Sequence, residues 1–175
     1  MELRKIAFLE TYNLEDDAGI MGAILVTDAE TKPLEFRVTA PIKPTNFQKT
    51  LYGDVLFEHI LTELVSVPLL NAINEEIDLI LVRDSLFMSV NDKQGIRVVR
   101  VMDEDDAQKV GKSALELAST NGHPKLFVGT SKKFESELAE INTKLGPIAE
   151  HRNLIEPFDR LKEACEQVHL QKTSE

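Results

Sequence analysis

Apolar and polar positions along the chain alternate with the period of strands first and of helices later. Leu3 to Glu10 carries apolar residues on both alternating faces, with Leu3, Ala7 and Leu9 against Ile6 and Phe8, which predicts a strand covered on two sides. After the polar loop Asn13 to Gly19, Ile20 to Thr27 predicts a second buried strand. Asp28 to Pro33 turns the chain. In Leu34 to Ala40, Leu34, Phe36, Val38 and Ala40 are expected inward and Glu35, Arg37 and Thr39 outward, a half-solvated strand nearer the sheet edge. The three form an antiparallel meander.

Pro41-Ile42-Lys43-Pro44 breaks this pattern, and Thr45 with Gln48 has the spacing of a capping box. A helix is predicted from Asn46 to Val65, with Leu51, Val55, Leu56, Ile60, Leu61, Leu64 and Val65 as its packing face and Pro68 kinking or ending it. Ile77 to Val82 is a continuous apolar run, the mark of a central strand. Following a long helix, it should lie parallel to an earlier strand. Leu86 to Val90 and Ile96 to Val101 flank Asn91 to Gly95 as a hairpin. Asp103 to Asp106 should open a helix reaching Asn121-Gly122, because acids are favoured at a helix N-terminus. Lys125 to Val128 reads as a short strand. Phe134, Leu138, Ile141 and Leu145 mark a helix closed by Gly146-Pro147, and Leu154, Phe158, Leu161, Cys165 and Val168 mark a last one. Residues 1–170 are expected to form a single α/β domain, and residues 171–175 a flexible tail.

These elements predict a mixed sheet, a three-strand antiparallel meander plus parallel strands, with helices on both faces. The element order resembles that of ribonuclease H-like folds. That resemblance implies carboxylates from the first strand, the first long helix, the end of the next parallel strand and a late helix, holding Mg²⁺ or Mn²⁺ for phosphodiester cleavage. At three of these places the chain offers Glu10, then Glu58 or Glu63, and Asp84.

Composition narrows the classes further. The 175 residues are 42% hydrophobic and 29% charged, in the range of globular chains, and no run approaches eighteen consecutive apolar residues, which argues against a membrane span. The single cysteine, Cys165, and a start without the features of a secretory leader point to the cytoplasm. A net charge of −10 disfavours nucleic-acid binding across the whole surface. Glu15 to Asp17 and Asp103 to Asp106 lack the spacing of an EF-hand loop. Gly129-Thr130-Ser131-Lys132-Lys133 lies between a strand and a helix and could receive a small anion or a nucleotide phosphate, without the glycine spacing of a P-loop. His59, His123, His151 and His169 have no zinc-binding spacing, and Cys165 sits on an apolar helix face.

With no compact catalytic motif, the sequence favours a non-catalytic binding or accessory subunit of a larger intracellular assembly. It would need no cofactor and would contact another protein chain, or a copy of itself, through the Leu86–Val101 hairpin and the last helix. The alternative is a divalent-metal-dependent nuclease using Glu10, Asp84 and Glu58 or Glu63. A third reading is a small-anion or nucleotide sensor.

Overall fold

The first forty residues fold into the three predicted strands, β1 (Lys5–Asn13), β2 (Ile20–Asp28) and β3 (Pro33–Val38), but on β3 the expected facing fails: Leu34 and Phe36 are exposed, while Glu35 turns toward the segment before β4, where the Asn74 and Glu75 N–H groups hold its carboxylate. The computed structural model describes residues 2–117 and 124–173. Further strands are β4 (Leu79–Val82), β5 (Val98–Met102), β6 (Leu115–Leu117) and β7 (Leu126–Gly129), and the seven form one sheet in the order β3-β2-β1-β4-β5-β7-β6. β1 pairs antiparallel with β2 and parallel with β4, and β4 pairs parallel with β5. All four residues of β4 are buried, so the apolar run read as a central strand is one. Its amino end is pinned to the start of β1 by Asp78, whose Oδ2 accepts the Arg4 and Lys5 N–H groups at 2.9 and 3.0 Å.

Helical segments cover both faces. Between β3 and β4 the chain runs through α1 (Asn46–Tyr52), a 3-10 turn (Gly53–Val55), α2 (Leu56–His59), a π-helical stretch (Ile60–Ser66) and α3 (Val67–Ala72). The Thr45/Gln48 capping box is formed. By length and composition this stretch would suffice to cross a membrane, but here Ile60, Leu61, Val65 and Leu69 lie buried against Leu9, Ile24, Ile80 and Val82 of the sheet. The expected packing face is only partly used: Leu51 and Val55 are 69% and 61% exposed. Gly53, with φ +54°, ends α1 after two turns and redirects the chain, so packing on the sheet-side core starts with the half-buried Leu56 and Phe57 and full burial only with Ile60. The widened π turn precedes Pro68, whose ring and missing N–H would break a regular helix.

Three other predicted elements differ. Residues Ser85–Asp92 form a 3-10 helix and not the first arm of a hairpin. Phe87 and Val90, three apart, are its buried apolar residues, and the Asp84 carboxylate caps it through the Leu86 N–H at 2.9 Å. The helix opened by Asp103 is short: α4 (Glu104–Val110) stops at Gly111, φ +88°, and the chain then forms β6; the predicted end at Asn121-Gly122 lies outside the described residues. Pro147 is inside α5 (Glu135–His151), where burial of Leu145, Ile148 and Ala149 carries the helix past it. The last helix, α6 (Glu156–Thr173), includes residues 171–173 of the predicted tail. α5 and α6 cover the face opposite α1–α3, packing Leu138, Ile141, Phe158, Leu161 and Cys165 on Ile6, Phe8, Leu81 and Val99.

Candidate active site

The alternation of β1 decides where its polar end points. Ile6 and Phe8 face α5 and α6, whereas Ala7 and Leu9 face the helical stretch on the other side. Glu10 therefore projects on the α6 side, where it is 8% exposed. On β4, Leu79 and Leu81 share that face, so Arg83 follows them onto it, with Asp84 one residue beyond. The carboxyl ends of parallel neighbours converge at one edge of a sheet, and ligands of open α/β sheets bind at such an edge.

A pocket of about 470 Å³ opens there. Glu10, Arg83 and Asp84 line it together with Asp103 and Asp106 beyond β5, Arg152 and Asn153 between α5 and α6, and Lys162 of α6; Val101, Leu126, Ala149 and Ile155 form apolar walls. The two candidate carboxylates each have one oxygen held by the backbone. Glu10 Oε1 accepts the Thr11 N–H at 3.1 Å, and Asp84 Oδ1 accepts the Leu86 N–H at 2.9 Å. Their second oxygens accept no protein hydrogen bond among the described residues.

Burial pushes the Glu10 carboxyl above the ordinary carboxylate range, the Thr11 N–H and the Lys162 and Arg83 charges pull it back, and the Asp84 charge adds to the rise. The other two acids are committed elsewhere. Asp103 Oδ1 caps α4 through the Asp106 N–H at 2.8 Å, and Asp106 lies 3.9 Å from Arg100. Cys165, buried beneath, has its thiol pushed up to about 11 by burial and then by the Glu10 charge, which makes it an inert core residue.

The expected four-acid set divides. Glu10 and Asp84 meet, but Glu58 and Glu63 belong to the stretch covering the opposite face, and the sheet stands between them and Glu10. Glu58 accepts a hydrogen bond from Ser89 Oγ, and Glu63 pairs with Lys93 at 2.9 Å. Among the described residues, no group of three His, Cys, Asp or Glu is arranged to hold a metal ion.

The Gly129 to Lys133 segment is held inward. Thr130 Oγ1 donates to the Val98 carbonyl at 2.8 Å, Ser131 Oγ donates to the Met88 carbonyl at 3.2 Å and accepts from Asn91 Nδ2 at 2.9 Å, and Lys133 lies 5.4 Å from the Phe134 ring centroid. The hydroxyls a bound anion would use are spent on the fold, and Lys132 is exposed.

Sequence reasoning missed Arg83, Arg152 and Lys162. A usable signal existed for two of them: Arg83 keeps the β4 alternation, and Lys162 adjoins the buried Leu161 one turn after Phe158.

No family model matches the chain, and no curated protein sequence matches it. Its fold is shared with solved structures of endonuclease V. The enzyme from Streptomyces avermitilis superposes with a TM-score of 0.62 at 10% identity, over 99% of this chain and 85% of the other. Two structures of Ciona intestinalis endonuclease V, each in complex with DNA containing an inosine followed by a ribo-adenosine, align at TM-scores of 0.47 and 0.49 with 11% and 12% identity, over 95% of this chain and 87% of each of theirs. The fold is thus the ribonuclease H-like α/β type anticipated from element order. The same likeness overturns two expectations, the non-catalytic accessory subunit contacting another protein chain and the disfavoured nucleic-acid partner. The pocket assembles from distant segments, so no local motif marks it in the sequence. The pocket lining mixes signs, with Arg83, Arg152 and Lys162 among Glu10, Asp84, Asp103 and Asp106, an arrangement that a net charge for the whole chain does not describe.

Proposed function

We propose that the chain is a divalent-metal-dependent nuclease that hydrolyses a phosphodiester bond in the pocket at the carboxyl ends of β1 and β4. The observation that carries this reading is the convergence there of Glu10 and Asp84, each with one carboxylate oxygen held by backbone and one left open. The fold shared with an endonuclease supports it by analogy.

The donor set fits one hard cation. Mg²⁺ favours oxygen ligands, commonly takes one or two carboxylates, and completes its shell with water and substrate phosphate. Glu10 and Asp84 would hold it, and Asp103 and Asp106 are engaged with backbone and Arg100. A divalent ion supplies Lewis acidity toward a phosphoryl oxygen. The chain's own groups do the remainder. Arg83 and Arg152 orient the phosphate, and the Val101, Leu126, Ala149 and Ile155 walls thin out the water around it. Glu10, with its raised pKa, releases a proton more readily as a cation arrives, so metal affinity falls as pH falls.

The test is cleavage of end-labelled single- and double-stranded DNA and RNA with Mg²⁺ or Mn²⁺. Cleavage lost in both Glu10→Gln and Asp84→Asn supports the reading. No cleavage of any substrate, or equal cleavage by both variants, overturns it.

A further inference from the structure

We infer that Lys162 is a catalytic residue, the protein's own cation for the scissile phosphate, and that the centre therefore works with one divalent ion. This rests on the nuclease reading above and goes beyond it, because it fixes the metal stoichiometry and adds a residue to the reaction.

Packing fixes where Lys162 sits. α6 is locked on the sheet by Phe158, which meets Phe8 edge-to-face with ring centroids 5.3 Å apart, and by the buried Leu161 and Cys165. With that face of the helix committed, Lys162 stands at the pocket mouth on the same side of the sheet as Glu10.

Lys162 also differs from the other cations of the lining in having no acid partner among the described residues. Arg83 Nη1 lies 3.8 Å from Asp159 and its guanidinium lies 5.8 Å from the Phe158 ring centroid, while Arg152 Nε lies 3.5 Å from Glu30. Lys162 has no carboxylate within ion-pair distance among the described residues, and its charge is felt at Glu10. An ammonium with no such partner at the mouth of an acidic pocket is available to an anion.

Charge balance points the same way. The lining carries four acids, Glu10, Asp84, Asp103 and Asp106, and three cations, Arg83, Arg152 and Lys162. One divalent ion turns a net charge of minus one into plus one, which a single phosphodiester neutralises. Two such ions would leave a surplus of plus two with the phosphate bound, and among the described residues no group of three His, Cys, Asp or Glu is arranged to hold a metal, Asp103 and Asp106 being engaged with backbone and Arg100.

In the reaction a water oxygen bonds to phosphorus, the bond from phosphorus to the departing oxygen breaks, and the water proton ends on that oxygen. Lys162 transfers no proton. It donates a hydrogen bond to a phosphate oxygen as negative charge builds there.

The experiment compares the full-length protein with Lys162→Gln and Lys162→Arg, using Mn²⁺ titration calorimetry and steady-state cleavage of a labelled oligonucleotide. The wild type should bind one Mn²⁺ per chain. Lys162→Gln should bind Mn²⁺ as well or better, since a repelling charge is gone, yet lose roughly 10²- to 10³-fold in kcat with KM moved far less. Lys162→Arg should recover to within about tenfold of wild type. Two Mn²⁺ per chain, or a Lys162→Gln kcat within about threefold of wild type, overturns the inference while leaving the nuclease reading intact. A wild type that neither binds Mn²⁺ nor cuts nucleic acid overturns both.

Discussion

Glu10, two residues past the stretch of β1 that pairs with β4, and Asp84, two residues past β4, each hold a backbone N–H with one carboxylate oxygen, while the other oxygen takes no hydrogen bond among the described residues. A carboxylate used only to brace the fold would have no reason to be kept in a buried place that disfavours its charge. The cost of keeping Glu10 there can be measured.

Glu10→Gln should abolish cleavage and raise the melting temperature at pH 7. Burial raises the folded-state pKa of Glu10 above the ordinary 4.5, so the ionised form destabilises the folded chain once pH exceeds that folded value. Below about pH 4 the carboxyl is protonated in both states and the gain should vanish. Scanning calorimetry across this range should find a rise on the order of 2–4 °C at neutral pH. A fall in Tm at pH 7 would contradict the assignment of burial as the cause.

Asp84 has two duties that two substitutions separate. Asp84→Asn keeps an acceptor for the Leu86 N–H and should fold like wild type, but weaken Mn²⁺ binding at least about tenfold. Asp84→Ala removes the cap as well and should lose about 1 kcal/mol in urea denaturation. Equal Mn²⁺ affinity in Asp84→Asn and wild type would remove Asp84 from the site.

Glu58→Gln and Glu63→Gln should leave kcat within about twofold of wild type, because both side chains lie beyond the sheet from the pocket. Loss of the half-exposed Glu63–Lys93 pair should leave the urea midpoint close to that of wild type. An activity loss comparable to that of Asp84→Asn would mean that the long helical stretch reaches the site.

Gly22→Ala tests the packing of the opposite face. A Cβ there would overlap both methyl groups of Val65, so the strand and the π turn would have to separate. A destabilisation of about 1–3 kcal/mol is expected, partly recovered when Val65→Ala is added. Additive losses in the double variant would argue against this contact.

Glu35 ties β3 to the segment before β4. Its carboxylate accepts the Glu75 N–H at 3.0 Å, the Arg37 Nε–H at 2.9 Å and the Asn74 N–H at 2.8 Å, which together hold its pKa below the ordinary 4.5. The stabilisation is complete above pH 4.5 and is lost as pH falls through the lowered folded value. Glu35→Gln should therefore lower the urea midpoint at pH 7, with the gap from wild type narrowing as pH drops below 4.5.

What was legible in the sequence follows from what local patterns encode. Period-two alternation located β1 to β3, and the apolar run at Ile77 to Val82 identified the interior strand, because burial on two faces leaves a direct mark on composition. Ser85–Asp92 was misread because Leu86, Phe87, Met88 and Val90 suit a strand as well as a 3-10 turn. The deciding group was the Asp84 cap. Gly111 ended α4 ten residues early through its left-handed backbone, which the helical pattern around Val110 and Ala114 concealed. At the site, Glu10 and Asp84 could be named from the ends of predicted strands, where few side chains have a choice of direction. Glu58 and Glu63 could not be sorted, since helix position alone does not say which face of a sheet the helix covers. Lys162 drew no notice because an exposed lysine beside a buried leucine looks like ordinary helix amphipathicity.

The Asp78 clasp on the Arg4 and Lys5 N–H groups bears on chemistry at the opposite rim of the sheet. β4 is only four residues long, and sliding it by one position along β1 would exchange the orientations of Arg83 and Asp84. A guanidinium would then stand where the carboxylate is required. Whether that corner attracts or repels a cation is therefore decided five to six residues away, by an aspartate at the other end of the strand.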